Sequence, residues 1–408
     1  MCKRIIYLFP WNPEDAEKKK YGILDLENQG FDVKIINLQD VLRYPKRSFK
    51  RGESSQRGTI DIYSVSNLRE FDEKIAQLKK GAIFVDYILG VSQMDLKHEK
   101  IFRVLQKNNV EYVIISAGAL PVPTRGNGMK GYTEYIRLNY KKLFSLSSLR
   151  KKIGREIVHF LAKHTEWYPK PIRVFGTMSP ILRHYLEVGG LDFQRFIPTH
   201  SIDHYEYLQY MKQNKNQIPA KEDICVFIDE AVTNHPDFAY LNIKPIHEEP
   251  YFESMNRFFD NIENMSGLRV VVAAHPRSDY EKNPSIFNGR EIIKGRTIDL
   301  VAKSSLVVQH QSTAVNFAVL FSKPVLFVKT AEMILSGFFH QIDLMASSLG
   351  TKPINIDRIS ENDCLTMAAD PSTASYREYT YSYVKSFGVD DNISVWDTVG
   401  REIRALDG

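Results

Sequence analysis

The chain alternates short apolar runs with amphipathic stretches almost from end to end. Residues 4–10 (RIIYLFP), 31–38, 82–89, 111–118 and 171–177 are apolar runs of strand length. Runs of that kind, bounded by glycine or polar residues, predict strands buried on both faces of a parallel sheet. Residues 21–30 and 97–109 carry helical spacing, and the first of these closes on Gly30. A succession of strand, helix, glycine and strand predicts a doubly wound α/β domain. A second series follows, with strands over 224–231, 268–276, 306–310 and 324–328 and helices over 251–264, 297–305, 312–322 and 331–350. A last helix is predicted over 395–406. Residues 186–223 hold few apolar runs and end in KQNKNQIPAKED, which predicts a linker, although 197–211 is dense in His, Asp and Tyr.

Length supports two such domains, since 408 residues exceed one ordinary core. The expected division is 1–190, 191–385 and a C-terminal helix at 386–408 free to return to the first domain. Two successive doubly wound domains would face each other across a cleft, with ligands outside the carboxyl ends of the strands. Composition adds little: apolar residues make up 43% and charged residues 25%, an ordinary globular balance. A net charge of +5 gives no reason to expect nucleic acid, but a mild positive field suits phosphate-bearing ligands. The three cysteines, Cys2, Cys225 and Cys364, show no metal-type spacing, and a reducing cytoplasm is expected. No run of about 18 apolar residues predicts a membrane span. Two basic, aromatic-studded stretches, 42–52 and 135–157, read either as solvated surface or as a peripheral contact with an anionic membrane on its inner face.

Candidate chemistry collects at the predicted strand ends. In the second series the strands run into Asp229-Glu230, into His275-Pro276-Arg277, and into His310-Gln311-Ser312-Thr313. Ser312 and Thr313 stand where a helix is predicted to begin, so they read as caps and also as an anion site. The acids read as loop caps or as a general base whose pKa is set by burial and by its neighbour. Pro276 ends a strand because it cannot donate to a ladder. Lys294 is a further cation for a phosphate. In the first series, Asp86, Ser116 and Gly118 fall at strand ends as acceptor or cleft-wall residues. His200 and Asp203 read as packing or cleft wall, with donor-sugar contact as the alternative. His200 and His204 have no third ligand nearby in sequence, and no metal site is expected.

The ordered trio Asp229-Glu230-Ala231, His275-Pro276 and Ser312-Thr313 resembles the motifs of bacterial sialyltransferases and related capsule, lipopolysaccharide and flagellar-glycan glycosyltransferases that use CMP-activated acidic sugars. The resemblance covers about residues 224–328. Two features depart from the pattern: Ala231 stands where the family has glycine, and the interval from Glu230 to His275 is long. The resemblance implies the two-Rossmann GT-B fold, with nucleotide in the C-terminal domain and acceptor in the N-terminal one. It implies a first acid acting as base, with Glu230 beside it, and a His275 that meets the donor phosphate. Pro276, Arg277, Lys294, His310, Gln311, Ser312 and Thr313 would line the phosphate and nucleotide site. The implied partners are a CMP-sugar donor, with no separate cofactor, and a glycan or glycolipid acceptor. Cytidylyl-donor polyol-phosphate transferases, a nucleotide-sugar epimerase and a non-catalytic nucleotide-sugar binder remain as alternatives. Retaining GT-B enzymes with paired glutamates fit poorly, because no glutamate lies between Ser304 and Thr330.

Overall fold

A computed structural model describes residues 3–43, 60–87, 96–118, 120–121, 170–179, 193–233, 246–276, 278–336, 339, 341–358 and 365–407. Most of 42–52 and all of 135–157, the two basic stretches, lie outside the described residues, as does Arg277.

The described residues form two α/β units. The first takes the described residues up to Ile202 together with those from Lys385 onward; the second takes Asp203–Val384 with Leu120 and Pro121. In the first unit the strands are β1 (Arg4–Phe9), β2 (Asp32–Asn37), β3 (Asp61–Ser64), β4 (Ala82–Asp86), β5 (Tyr112–Ser116), β6 (Arg173–Gly176) and β7 (Phe196–Pro198). They form one sheet in the order β3-β2-β1-β4-β5-β6-β7, and every pairing is parallel. In the second unit β8 (Ile224–Ile228), β9 (Arg269–Ala274), β10 (Glu291–Lys294), β11 (Leu306–Gln309), β12 (Val325–Lys329) and β13 (Ile354–Asn355) form a parallel sheet in the order β10-β9-β8-β11-β12-β13. Both are doubly wound orders, in which the chain starts at the middle of the sheet and reverses direction.

The central strands are buried along nearly their whole length, as continuous apolar runs require when helices cover both faces. Helix Glu248–Ser266 buries Tyr251, Phe252, Met255, Phe258, Phe259 and Ile262 along one stripe. It ends at Gly267, whose φ of 71° lies in the left-handed region glycine enters without cost.

Three expectations change. The linker expected over 186–223 contains β7 and a helix, Ile202–Gln213. β7 adds in register onto β6. The helix expected over 331–350 is two, Ala331–Ser336 and Gln341–Ser348. The helix expected from Ser312 begins at Val315.

The last helix, Val395–Arg404, packs within the first unit. A capping box opens it: Ser394 Oγ accepts from the Asp397 amide at 3.1 Å, and the Asp397 carboxylate accepts from the Ser394 amide at 3.1 Å. Trp396 is fully buried against Gly22, and the Trp396 carbonyl accepts from Gln29 Nε2 at 3.2 Å. The tail leading into this helix is tied down by His200. The buried imidazole accepts the Ser386 amide at Nδ1 (3.0 Å) and donates from Nε2 to the Asp390 carbonyl (3.1 Å), and Ser386 Oγ donates to the Thr199 carbonyl at 2.7 Å. Burial lowers the pKa of this ring. His200 is therefore a brace for the tail. Asp391 stands 3.9 Å from its Nε2, a carboxylate neighbour that sequence spacing could not show.

Candidate functional site

Strands β9, β8 and β11 are adjacent in the second sheet, so their carboxyl ends lie side by side. This brings Asp229-Glu230, His275 and the turn 310–314 to one edge. Doubly wound order does the positioning: the neighbours on the two sides of β8 come from later, separate crossovers, and the sequence between them is spent on helices.

Asp229 follows directly on β8 and is only 3% exposed. Its Oδ1 accepts from the Ala231 amide at 2.9 Å and from the Tyr280 hydroxyl at 3.0 Å, and its Oδ2 accepts from the His275 amide at 3.0 Å. The carboxylate thus stitches the end of β8 to the end of β9. Burial holds its pKa above the ordinary carboxylate range, and these donors pull the other way. Ala231 has φ 48°, in the left-handed region. The position where the resembling family has glycine therefore adopts a glycine-like conformation here, with alanine paying a steric penalty of about 1 kcal/mol.

Glu230 reaches the other way. Its Oε1 accepts from the Gln311 amide at 2.5 Å, and the Ser312 and His310 amides also serve this carboxylate. Loss of solvation pushes its pKa up to about 8, with the Asp229 charge adding to the rise and the three amides opposing it. The residue as a whole keeps a partly exposed side, in contrast to Asp229.

His275 is half-buried at the end of β9, and its carbonyl accepts from the Ser278 amide at 2.9 Å, closing the turn that Pro276 occupies at the surface. Lys294, at the end of β10, donates to the Ser278 carbonyl and to Glu281, each at 2.6 Å, so it secures the loop that follows His275. Gln311 and Ser312 are partly exposed and Thr313 is exposed. Ser312 Oγ accepts from the Ala314 amide at 3.2 Å, as a local cap.

Other expected site residues fall elsewhere. His310 is fully buried: its Nδ1 donates to the Val328 carbonyl at 2.7 Å, its Nε2 accepts from the Tyr251 hydroxyl at 2.9 Å, and Phe227 packs edge-on to the ring. It supports the site from beneath and is not placed to meet a phosphate, because both nitrogens are spent on protein partners. Asp203 lies in the second unit, where its carboxylate accepts from Asn316 Nδ2 at 2.6 Å and Asn316 Oδ1 accepts from the Tyr379 hydroxyl at 3.0 Å. It is a packing residue. In the first unit Asp86 is buried at the end of β4, Ser116 is half-buried at the end of β5 and Gly118 is exposed.

Sequence reasoning missed Tyr251 and Tyr280. Tyr251 was legible only as part of the apolar stripe of its helix. Tyr280 lies in a short 3-10 turn with no periodic signal, and it is held edge-on by Phe287 at 5.2 Å.

The buried ring of His310 gives a pH prediction. Burial lowers its pKa from 6.5 to about 4. The folded state holds it neutral, so its contribution is complete above pH 6.5 and is lost as pH falls through 4, a difference of about 3 kcal/mol. Glu230 has the opposite sign: raised to about 8, it costs stability as pH rises from the ordinary carboxylate value through 8. The His310 share is therefore read as a difference. Urea melts of the wild type and of His310→Gln between pH 4 and 8 should show the wild type losing its advantage over the variant on the acid side. Parallel curves would contradict the assignment.

Among solved structures the chain is similar over nearly its full length to the kitacinnamycin glycosyltransferase, with 11% identity, 99% of each chain covered and a TM-score of 0.52. It is also similar to the calicheamicin glycosyltransferase, with 10% identity, 99% of this chain and 98% of that one covered and a TM-score of 0.50. The UDP-GlcNAc 2-epimerase of Methanocaldococcus jannaschii follows at 12% identity, 100% and 99% coverage and a TM-score of 0.47. No protein-family model matches the chain, and no curated protein matches it. The fold, two parallel-sheet α/β units, is that of the GT-B glycosyltransferases. No described helix is long and apolar enough to cross a membrane.

Proposed function

We propose that the protein is a glycosyltransferase that moves an acidic sugar from a CMP-activated donor to a glycan or glycolipid acceptor, working in the cytoplasm beside the inner face of the membrane. The observation that carries this reading is the meeting of Asp229-Glu230, His275 and Ser312-Thr313 at the carboxyl ends of three adjacent parallel strands, β8, β9 and β11. The GT-B fold supports it at the level of architecture.

In this reading the acceptor oxygen attacks the anomeric carbon as the bond from that carbon to the phosphate oxygen breaks. The acceptor proton goes to a carboxylate, and CMP leaves with the bonding electrons. Negative charge grows on the phosphate, and His275 and the amides of the 310–312 turn are the groups beside it. The two acids divide the work. Asp229 already accepts from two amides and a hydroxyl and is buried, so it positions the strand ends. Glu230, with a partly exposed side and a pKa pushed up to about 8, is a stronger base than an ordinary carboxylate once ionised, and it ionises as pH approaches 8.

The experiment is to supply CMP-activated nonulosonic acids and CMP-Kdo, each with a panel of glycan acceptors, and to follow CMP release by chromatography. The wild type should release CMP, and His275→Ala should lose about 100-fold or more in turnover. Equal turnover in the variant would remove His275 from the chemistry.

A further inference from the structure

We propose that Glu230 and the donor phosphate occupy the same backbone amides in turn, so that phosphate binding is what releases the Glu230 carboxylate toward the acceptor. The proposal rests on the functional reading above for the identity of the anion, and on geometry for the exchange itself.

The amides of residues 310–312 converge on a carboxyl group from another strand end, 81 positions away in sequence at the Gln311 contact. A carboxylate on this turn stands in for the oxygens of a phosphate: both accept charge-assisted hydrogen bonds from N–H donors, and a phosphate brings more acceptor oxygens. Next to this turn in sequence lies a buried side-chain donor without a partner among the described residues. Gln309, the last residue of β11 and in register with Ile228, is fully buried with neither side-chain polar atom hydrogen-bonded among the described residues. Gln309 immediately precedes His310, the first residue of the turn. Unpaired buried donors are costly and rare in folded proteins, and of these side-chain atoms the Gln309 Nε2 is the one that a phosphate oxygen would satisfy.

Glu230 is also the one of the two acids able to leave. Asp229 is held by three donors on three separate segments of the chain and is almost inaccessible. Glu230 keeps a partly exposed side, and it sits beside a second carboxylate that its departure would relieve. The exchange makes the order of events a property of the site: donor first, then a freed base, then acceptor. A base that is occupied until the donor arrives also protects against idle proton transfer.

The test is isothermal titration of wild type, Glu230→Ala and Glu230→Gln with inorganic phosphate, CMP and cytidine, at one pH and one salt concentration. Removing the resident carboxylate should tighten inorganic phosphate and CMP by about tenfold or more in Glu230→Ala, move Glu230→Gln in the same direction, and leave cytidine unchanged. Unchanged or weaker phosphate binding in both variants would overturn the exchange. If phosphate tightens while no form of the protein binds CMP, the exchange stands and the donor assignment falls. If Glu230→Ala does not fold, Glu230→Gln, equal in size and uncharged, decides the same question.

Discussion

Asp229→Ala should cost the protein about 3–5 kcal/mol and abolish stabilisation by nucleotide. The reason is the number of groups that one carboxylate serves. Its removal leaves the Ala231 amide, the His275 amide and the Tyr280 hydroxyl without their acceptor, all in buried or half-buried surroundings. Each orphaned donor carries a desolvation penalty, and breaking a buried charged contact by removing one partner is among the largest single-residue effects. The loop after β9 would lose its tie to β8, and His275 would lose its register with it. Asp229→Asn gives the graded version: one oxygen survives for Ala231 and Tyr280, while the new side-chain N–H opposes the His275 amide or the reverse. It should fall between wild type and alanine. Chemical denaturation of the three proteins, with and without CMP, checks the series. An alanine variant that melts with the wild type would show that the strand ends are held by something else.

Gly22→Ala should destabilise the first unit by about 2–4 kcal/mol. Gly22 has φ 68°, which costs an alanine about 1 kcal/mol. Its added Cβ would fall within the Trp396 ring, closer than any van der Waals contact allows. Overpacking of this kind costs a further 1–3 kcal/mol, and here nothing can yield cheaply, since Trp396 is fully buried and its carbonyl is engaged by Gln29. The expected consequence is detachment of helix Val395–Arg404, visible as faster amide exchange over 395–404 than elsewhere. Gly22→Ala combined with Trp396→Leu should recover part of the loss, because the smaller side chain vacates the space. A double variant no better than the single one would place the cost entirely in the backbone at residue 22.

The long apolar strands and the amphipathic helix after β8 were legible because burial on both faces, or on one stripe, writes itself into local pattern. Short edge strands were not: β3 and β10 are four residues each with half-exposed faces, and β7 has three, so no periodicity marks them. They form because a neighbour offers an open edge, which is information held elsewhere in the chain. The same limit governs the site. The strand-end positions of Asp229, His275 and Ser312 could be read, since each follows an apolar run. The destination of each side chain could not. His310 looked like its neighbours in sequence and is buried beneath them, because its ring meets Tyr251 from a helix some sixty residues earlier. Ala231 departs from the motif in sequence yet reproduces its backbone conformation. Glu230 reaches across to the next strand end, a contact that only sheet order creates.

The central claim is that the β8, β9 and β11 ends form the site of a cytidylyl donor, and a nucleotide panel by thermal shift tests it most directly. Stabilisation follows the ratio of ligand to Kd and reaches about 2.7 kcal/mol at a hundredfold excess, so the preferred base is visible without knowledge of the sugar or the acceptor. CMP should raise the melting temperature more than UMP, UDP, AMP or GMP, and His275→Ala should diminish that shift. A protein stabilised by uridine or adenosine nucleotides and not by CMP would contradict the donor assignment, and a protein stabilised by none of them would contradict the site.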